Sequence, residues 1–210
     1  MKPHRGFTLI EIAIVLVIIG LLLGGILKGQ EMITQGKIKN VIADFNGIQA
    51  AFYGYQDRYR AIPGDDPTAN TRWTGAISGN GNGIVAGTYN ATNANEESRL
   101  FWDHLRRAGF VAGSGTQPPA NSAGGIVGVQ TGDGAGGSAL GFSGLIICSS
   151  NLPDRIAIAV DQQIDDGNPG TGQVRAIRQS APNPDINGTA SAPAAYQETG
   201  TDQYTLCKGI

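Results

Sequence analysis

Residues 7–27 read FTLIEIAIVLVIIGLLLGGIL and carry a single ionisable side chain, Glu11. No other stretch of this 210-residue chain limits its fate so tightly. As an α-helix rising about 1.5 Å per residue the run is roughly 31 Å long, the thickness of a hydrocarbon core of about 30 Å. Lys2 and Arg5 precede it, and a basic flank stays cytoplasmic, so the rest of the chain is expected outside the cytoplasm. An ordinary secretory signal fits less well. Its apolar core is about 7–15 residues and ends at a small-x-small cleavage site, and none follows Leu27. A carboxylate inside a membrane segment costs up to about 3 kcal/mol at mid-bilayer and marks a functional position by default.

The residues around that carboxylate are distinctive in combination. Gly6-Phe7-Thr8-Leu9-Ile10-Glu11 stands behind a short basic leader and opens an unbroken apolar run. This resembles the processing site of type IV prepilins and type II secretion pseudopilins, strongly over residues 1–60 and only loosely beyond. The resemblance implies a structural subunit of a type IV pilus-like filament or, alternatively, a pseudopilin of a type II secretion system. A periplasmic binding module tethered by an uncleaved helix is the outside alternative. In that family a prepilin peptidase cuts after the glycine and methylates the new amine. Here the cut would fall between Gly6 and Phe7, and Phe7 would become N-methylphenylalanine. The implied partners are that peptidase, an inner-membrane assembly platform and other pilin subunits in a helical filament. Glu11 would pair with the N-terminal amine of a neighbouring subunit, and a buried charge that must find its partner can fix axial register. The chain would first be a single-pass inner-membrane protein with its C-terminus outside the cytoplasm, then part of a periplasmic or cell-surface filament. One departure from many major pilins is Lys28, which stands where they have a proline. It reads as a snorkelling residue at the membrane boundary, while Gly20, Gly24 and Gly25 weaken the helix in another way.

The sequence divides into a leader at 1–6, a membrane or filament-core helix at 7–27, an amphipathic continuation at 28–62 and an exported globular domain at 63–210. Val41, Phe45, Ile48, Phe52, Tyr55 and Tyr59 alternate in steps of four and three, one apolar stripe on a helix. Ile62-Pro63-Gly64 is expected to end it. A second helix is expected at 96–108, with Glu96 and Glu97 at its start and Arg106 and Arg107 at its end to complement the dipole. Strand candidates are 144–148, 174–177 and 204–207. Residues 153–164 fit a helix through Ile156, Val160 and Ile164, or a strand through Ile156, Ile158 and Val160. Pro153 tips the balance to helix. Residues 112–141, rich in glycine, read as a surface loop. The fold class expected is α+β: a long N-terminal helix packed on a small antiparallel sheet with long glycine-rich loops.

Little in the chain suggests chemistry of its own. Its two histidines are His4, in the leader, and His104, which is expected on a surface or packing face. No metalloprotease, serine-hydrolase or phosphate-loop motif accompanies them, so no enzyme and no cofactor are expected. Calcium at Asp161, Asp165 and Asp166 is the weaker reading. Turn and cap chemistry is the stronger one, there and at Asp65-Asp66. Asn80 and Asn82 in GNGNG are placed like an EF-hand loop stripped of its carboxylates. Arg58, Arg60 and Arg72 lie near Tyr55, Tyr59 and Trp73, but a net charge of -2 argues against nucleic acid as a partner. Those arginines read as the solvated edge of a core. Asn90 and Asn187 begin glycosylation triplets that also arise by chance. Cys148 and Cys207 end strand candidates in a region expected to face an oxidising compartment, so a disulfide between them is expected, with two buried thiols as the alternative. Many members of the resembled family fasten a C-terminal loop in this way.

Overall fold

The computed structural model describes residues 8–132, 140–186 and 195–210. Helix α1 runs Leu9–Tyr59 and holds no proline to interrupt it. It ends three residues before the expected Ile62-Pro63-Gly64, because Arg60 already adopts a left-handed backbone (φ 54°). Contacts divide the chain into one unit up to Lys37 and another, Ile38–Ile210, and the division falls inside α1. In the first unit the apolar side chains of Leu9–Leu27 are exposed, Leu9 to 88%.

The second unit begins where α1 becomes one-sided. Ile38, Val41, Phe45, Ile48, Ala51, Phe52 and Tyr55 are buried, and Tyr59 packs half-buried behind them. They meet an antiparallel four-stranded sheet in the order β1-β2-β4-β3. Its strands are β1 (Val127–Thr131), β2 (Leu145–Pro153), β3 (Val174–Arg178) and β4 (Gln203–Gly209). Alternation along each strand serves two faces. Val127, Val129, Ile147, Val174, Ala176, Tyr204 and Leu206 share one core with α1. Ile146, Cys148, Ile177 and Cys207 look the other way and are covered by Tyr89, Leu140 and Ile186. Having both faces covered explains why β2 reads as a continuous apolar run, LIIC, and not as alternation. The α+β arrangement expected from sequence is the one observed.

Among the described residues three further helices belong to the unit: α2 (Ala69–Arg72), a single turn, then α3 (Glu97–Arg107) and α4 (Asp154–Ile164). The ambiguous 153–164 stretch is therefore helical, with Ile156, Ala157 and Val160 buried. One expectation fails. Residues 112–141 are not loop throughout, since β1 lies inside them. Its edge is laced to the segment before α3: Val85 N–H donates to Thr131 Oγ1 at 2.9 Å, Thr131 N–H to the Val85 carbonyl at 3.3 Å and Tyr89 N–H to Gln130 Oε1 at 3.0 Å. Gly128 is a glycine because a β-carbon there would run into the Tyr89 carbonyl.

Candidate functional site

Helix α1 starts at Leu9, so Thr8 precedes it and Glu11 sits in its first turn. Glu11 Oε2 accepts the Thr8 N–H at 2.8 Å and the Thr8 hydroxyl at 2.8 Å. Thr8 Oγ1 in turn accepts the Glu11 N–H at 3.3 Å. This reciprocal pair is a capping box, which satisfies donors the helix start would otherwise leave open. The T-x-x-E spacing ahead of an apolar run is the sequence signature of this box, a second role for Glu11 beside its charge. Gly6 and Phe7, the expected processing pair, lie outside the described residues. Among the described residues α1 alone is long and apolar enough to cross a membrane, and none of its most apolar window is buried.

Residues 1–27 match the family described as the prokaryotic N-terminal methylation motif. The chain carries the type IV pilin and pseudopilin signal. No curated protein matches the chain significantly. The signal supports a pilin-like or pseudopilin-like protein, and it implies processing by a prepilin peptidase and assembly with other pilins. Joined to the exposed apolar helix, it fits membrane anchoring.

Away from the pilin and pseudopilin signal, the acidic residues act as anchors. Asp161, Asp165 and Asp166 do converge, with one oxygen of each within 4.8 Å of the others. Yet each is engaged by the protein. Asp161 accepts the Gly167 N–H at 3.2 Å and the Tyr196 hydroxyl at 2.6 Å. Asp165 accepts the Val174 N–H at 2.7 Å, holding the outer edge of β3. Asp166 accepts the Asn168 N–H at 2.8 Å and the Thr171 hydroxyl at 2.5 Å. Burial raises the Asp161 carboxyl above its ordinary value, while the Thr171 hydroxyl lowers that of Asp166. A calcium ion there would share the Asp161 and Asp166 oxygens with the hydrogen bonds they already accept.

Asp65 shows the same use of a carboxylate in a sharper form. Its oxygens accept the N–H groups of Gly81 at 2.6 Å, Asn82 at 3.2 Å and Gly83 at 2.7 Å. The GNGNG loop thus turns its donors inward around a carboxylate, the reverse polarity of a cation loop. Asp66 is ion-paired to Arg72 and accepts the Tyr55 hydroxyl at 2.6 Å. Arg72 lies over Tyr59 at 4.7 Å and Trp73 at 5.2 Å. Arg58 lies over Phe110 at 4.9 Å and reaches the last carbonyl of the α3 region, Ala108, at 3.3 Å. Arg60 is the exposed member of the group, paired loosely with Asp57 at 3.5 Å. His104 is fully buried. Its Nδ1 accepts the Gly64 N–H at 2.9 Å and its Nε2 bonds the Ile77 carbonyl at 2.8 Å. Cys148 and Cys207 face each other across β2 and β4 and form a disulfide. Of the glycosylation triplets, Asn90 is half-buried and donates to the Asn183 carbonyl at 3.0 Å, and Asn187 lies outside the described residues.

Proposed function

We propose that the chain is a structural subunit of a type IV pilus-like filament, exported, processed and polymerised through its N-terminal helix. The observation that carries this reading is the methylation signal at residues 1–27 opening directly into an apolar helix with its side chains exposed. In this reading prepilin peptidase hydrolyses the Gly6–Phe7 bond and methylates the amine it frees on Phe7. Glu11 then serves assembly. Its Oε2 is held by Thr8, which fixes the carboxylate at the helix start, and Oε1 accepts no hydrogen bond among the described residues. That oxygen is the one offered to the amine of a neighbouring subunit. The apolar face supplies attraction and the ion pair supplies register. The chain performs no catalysis and needs no resident cofactor, since its groups are substrates of the peptidase and contacts of the polymer. In this reading its C-terminal unit lies outside the cytoplasm, which the basic flank of Lys2 and Arg5 supports.

A second reading is favoured by one residue. Lys28 stands where many of the resembled major pilins carry a proline, which suits a minor subunit or a secretion pseudopilin. The mass of the N-terminal peptide from cells that contain prepilin peptidase tests the shared part of both readings. A peptide that starts at Phe7 and is one methyl heavier than its sequence is expected. A chain still starting at Met1 would make it a tethered monomer. Shearing the cells then separates the two readings, because surface pili come off into the medium and short periplasmic pseudopili do not.

A further inference from the structure

From Ile38 onward most charged side chains have partners. Arg72 pairs with Asp66, Arg107 with Asp103, Arg155 with Glu198 and Arg178 with Asp202. Two opposite charges on α1 stand apart: among the described residues no hydrogen bond or ion pair reaches Lys39 or Asp44. Lys39 is exposed and Asp44 is half-buried. Asp44 lines a concave cavity of about 270 Å³, with Ile48, Trp102, Phe110, Val111 and Pro119 among its other walls. The Trp102 indole N–H is buried without an acceptor. Burial with no compensating donor pushes the Asp44 carboxyl above its ordinary value. This is an apolar concavity with one unpaired negative charge in its wall.

Lys39 and Asp44 cannot satisfy each other within one chain. Five helical positions turn them about 140° apart and set them roughly 7.5 Å apart along the axis. Complementary features on different sides of one helix make a heterologous contact, which repeats from copy to copy and does not close into a dimer. We propose that Lys39 of one copy of this chain enters the Asp44 cavity of the next. Its four-carbon stem lies against Ile48, Phe110 and Val111, and its ammonium reaches the Asp44 carboxylate. Two parallel copies shifted by roughly 7.5 Å bring the pair level. The contact fixes stagger at a second height on α1, well above Glu11. It rests on the filament reading, because it needs copies standing side by side.

The test uses the full-length chain in cells that carry its assembly machinery, with filament yield measured by fractionation. Lys39→Asp and Asp44→Lys are each expected to lower assembled protein at least about 10-fold, as like charges then face each other. The double swap, Lys39→Asp with Asp44→Lys, is expected to restore it. Lys39→Cys with Asp44→Cys is expected to give a ladder of disulfide-linked multimers on mild oxidation, and either cysteine alone is not. Formation of the Cys148–Cys207 bridge in each variant shows that its C-terminal unit has folded. Single reversals that assemble like the parent chain, a swap that fails to rescue, or a double-cysteine variant without a ladder would overturn the proposal while leaving the filament reading intact. A parent chain that is neither cut at Phe7 nor assembled would bring down both.

Discussion

Single carboxylates and one imidazole hold the loops of the C-terminal unit by gathering backbone groups distant in sequence. Asp65 is buried and collects three N–H groups from the GNGNG loop. Asp65→Ala removes the acceptor of the Gly83 N–H and leaves the Gly81 and Asn82 N–H groups only the residue-65 carbonyl and Asn80 Oδ1. It is expected to cost about 2 kcal/mol, read as a lowered urea midpoint with an unchanged slope. His104 makes a different demand. Its Nδ1 must be unprotonated to accept the Gly64 N–H, and burial first of all lowers its pKa below the ordinary 6.5. A group depressed in the folded state contributes full stability above its unfolded value. That contribution disappears as pH falls below 6.5 and through the folded value. Urea midpoints should therefore fall on acidification, and His104→Gln, which cannot titrate, should flatten that part of the profile. At this scale the sequence was partly readable. Asp-Asp and Gly-Asn-Gly declare turn chemistry through residue type alone. Which loop wraps which carboxylate depends on partners such as Asp65 and Gly81, brought together only by the fold.

Among the elements, those with strong periodicity were legible and those shaped by a neighbour's backbone were not. The four-three spacing from Val41 to Tyr55 marks the buried face of α1 because a helix repeats its faces at that interval. The dipole-matched ends of α3 located it to within a residue. Strand β1, VGVQT, was missed because Gly128 and its glycine-rich surroundings look like loop. Gly128 is small for a steric reason, the close passage of the Tyr89 carbonyl. Gly128→Val improves strand propensity yet is expected to destabilise the unit by about 1–3 kcal/mol through overpacking, measured by thermal unfolding. Stabilisation would mean that the 85–91 segment does not lie against this edge. The capping box of α1 is legible in the spacing of Thr8 and Glu11, although a carboxylate in an apolar run points first to its charge.

For the molecule as a whole, the long-range tie is the disulfide. Cys148 and Cys207 stand opposite each other on adjacent strands, at a sequence separation of 59. Losing that loop constraint by Cys148→Ser with Cys207→Ser is expected to cost about 4 kcal/mol on the chain-entropy account. The measurement is the shift in denaturation midpoint, and reductant should move the parent chain by a similar amount and the double variant not at all. Strand β4 carries a different consequence. Gln203–Gly209 follows the other three strands in sequence, yet it lies inside the sheet with β2 on one side and β3 on the other. A ribosome still holding those residues holds back the central plank of the unit. A chain cut before Gln203 lacks the strand that joins β3 to the rest. Among the described strands the sheet is thus closed by the one made latest, and β3 stays without its partner until that strand arrives.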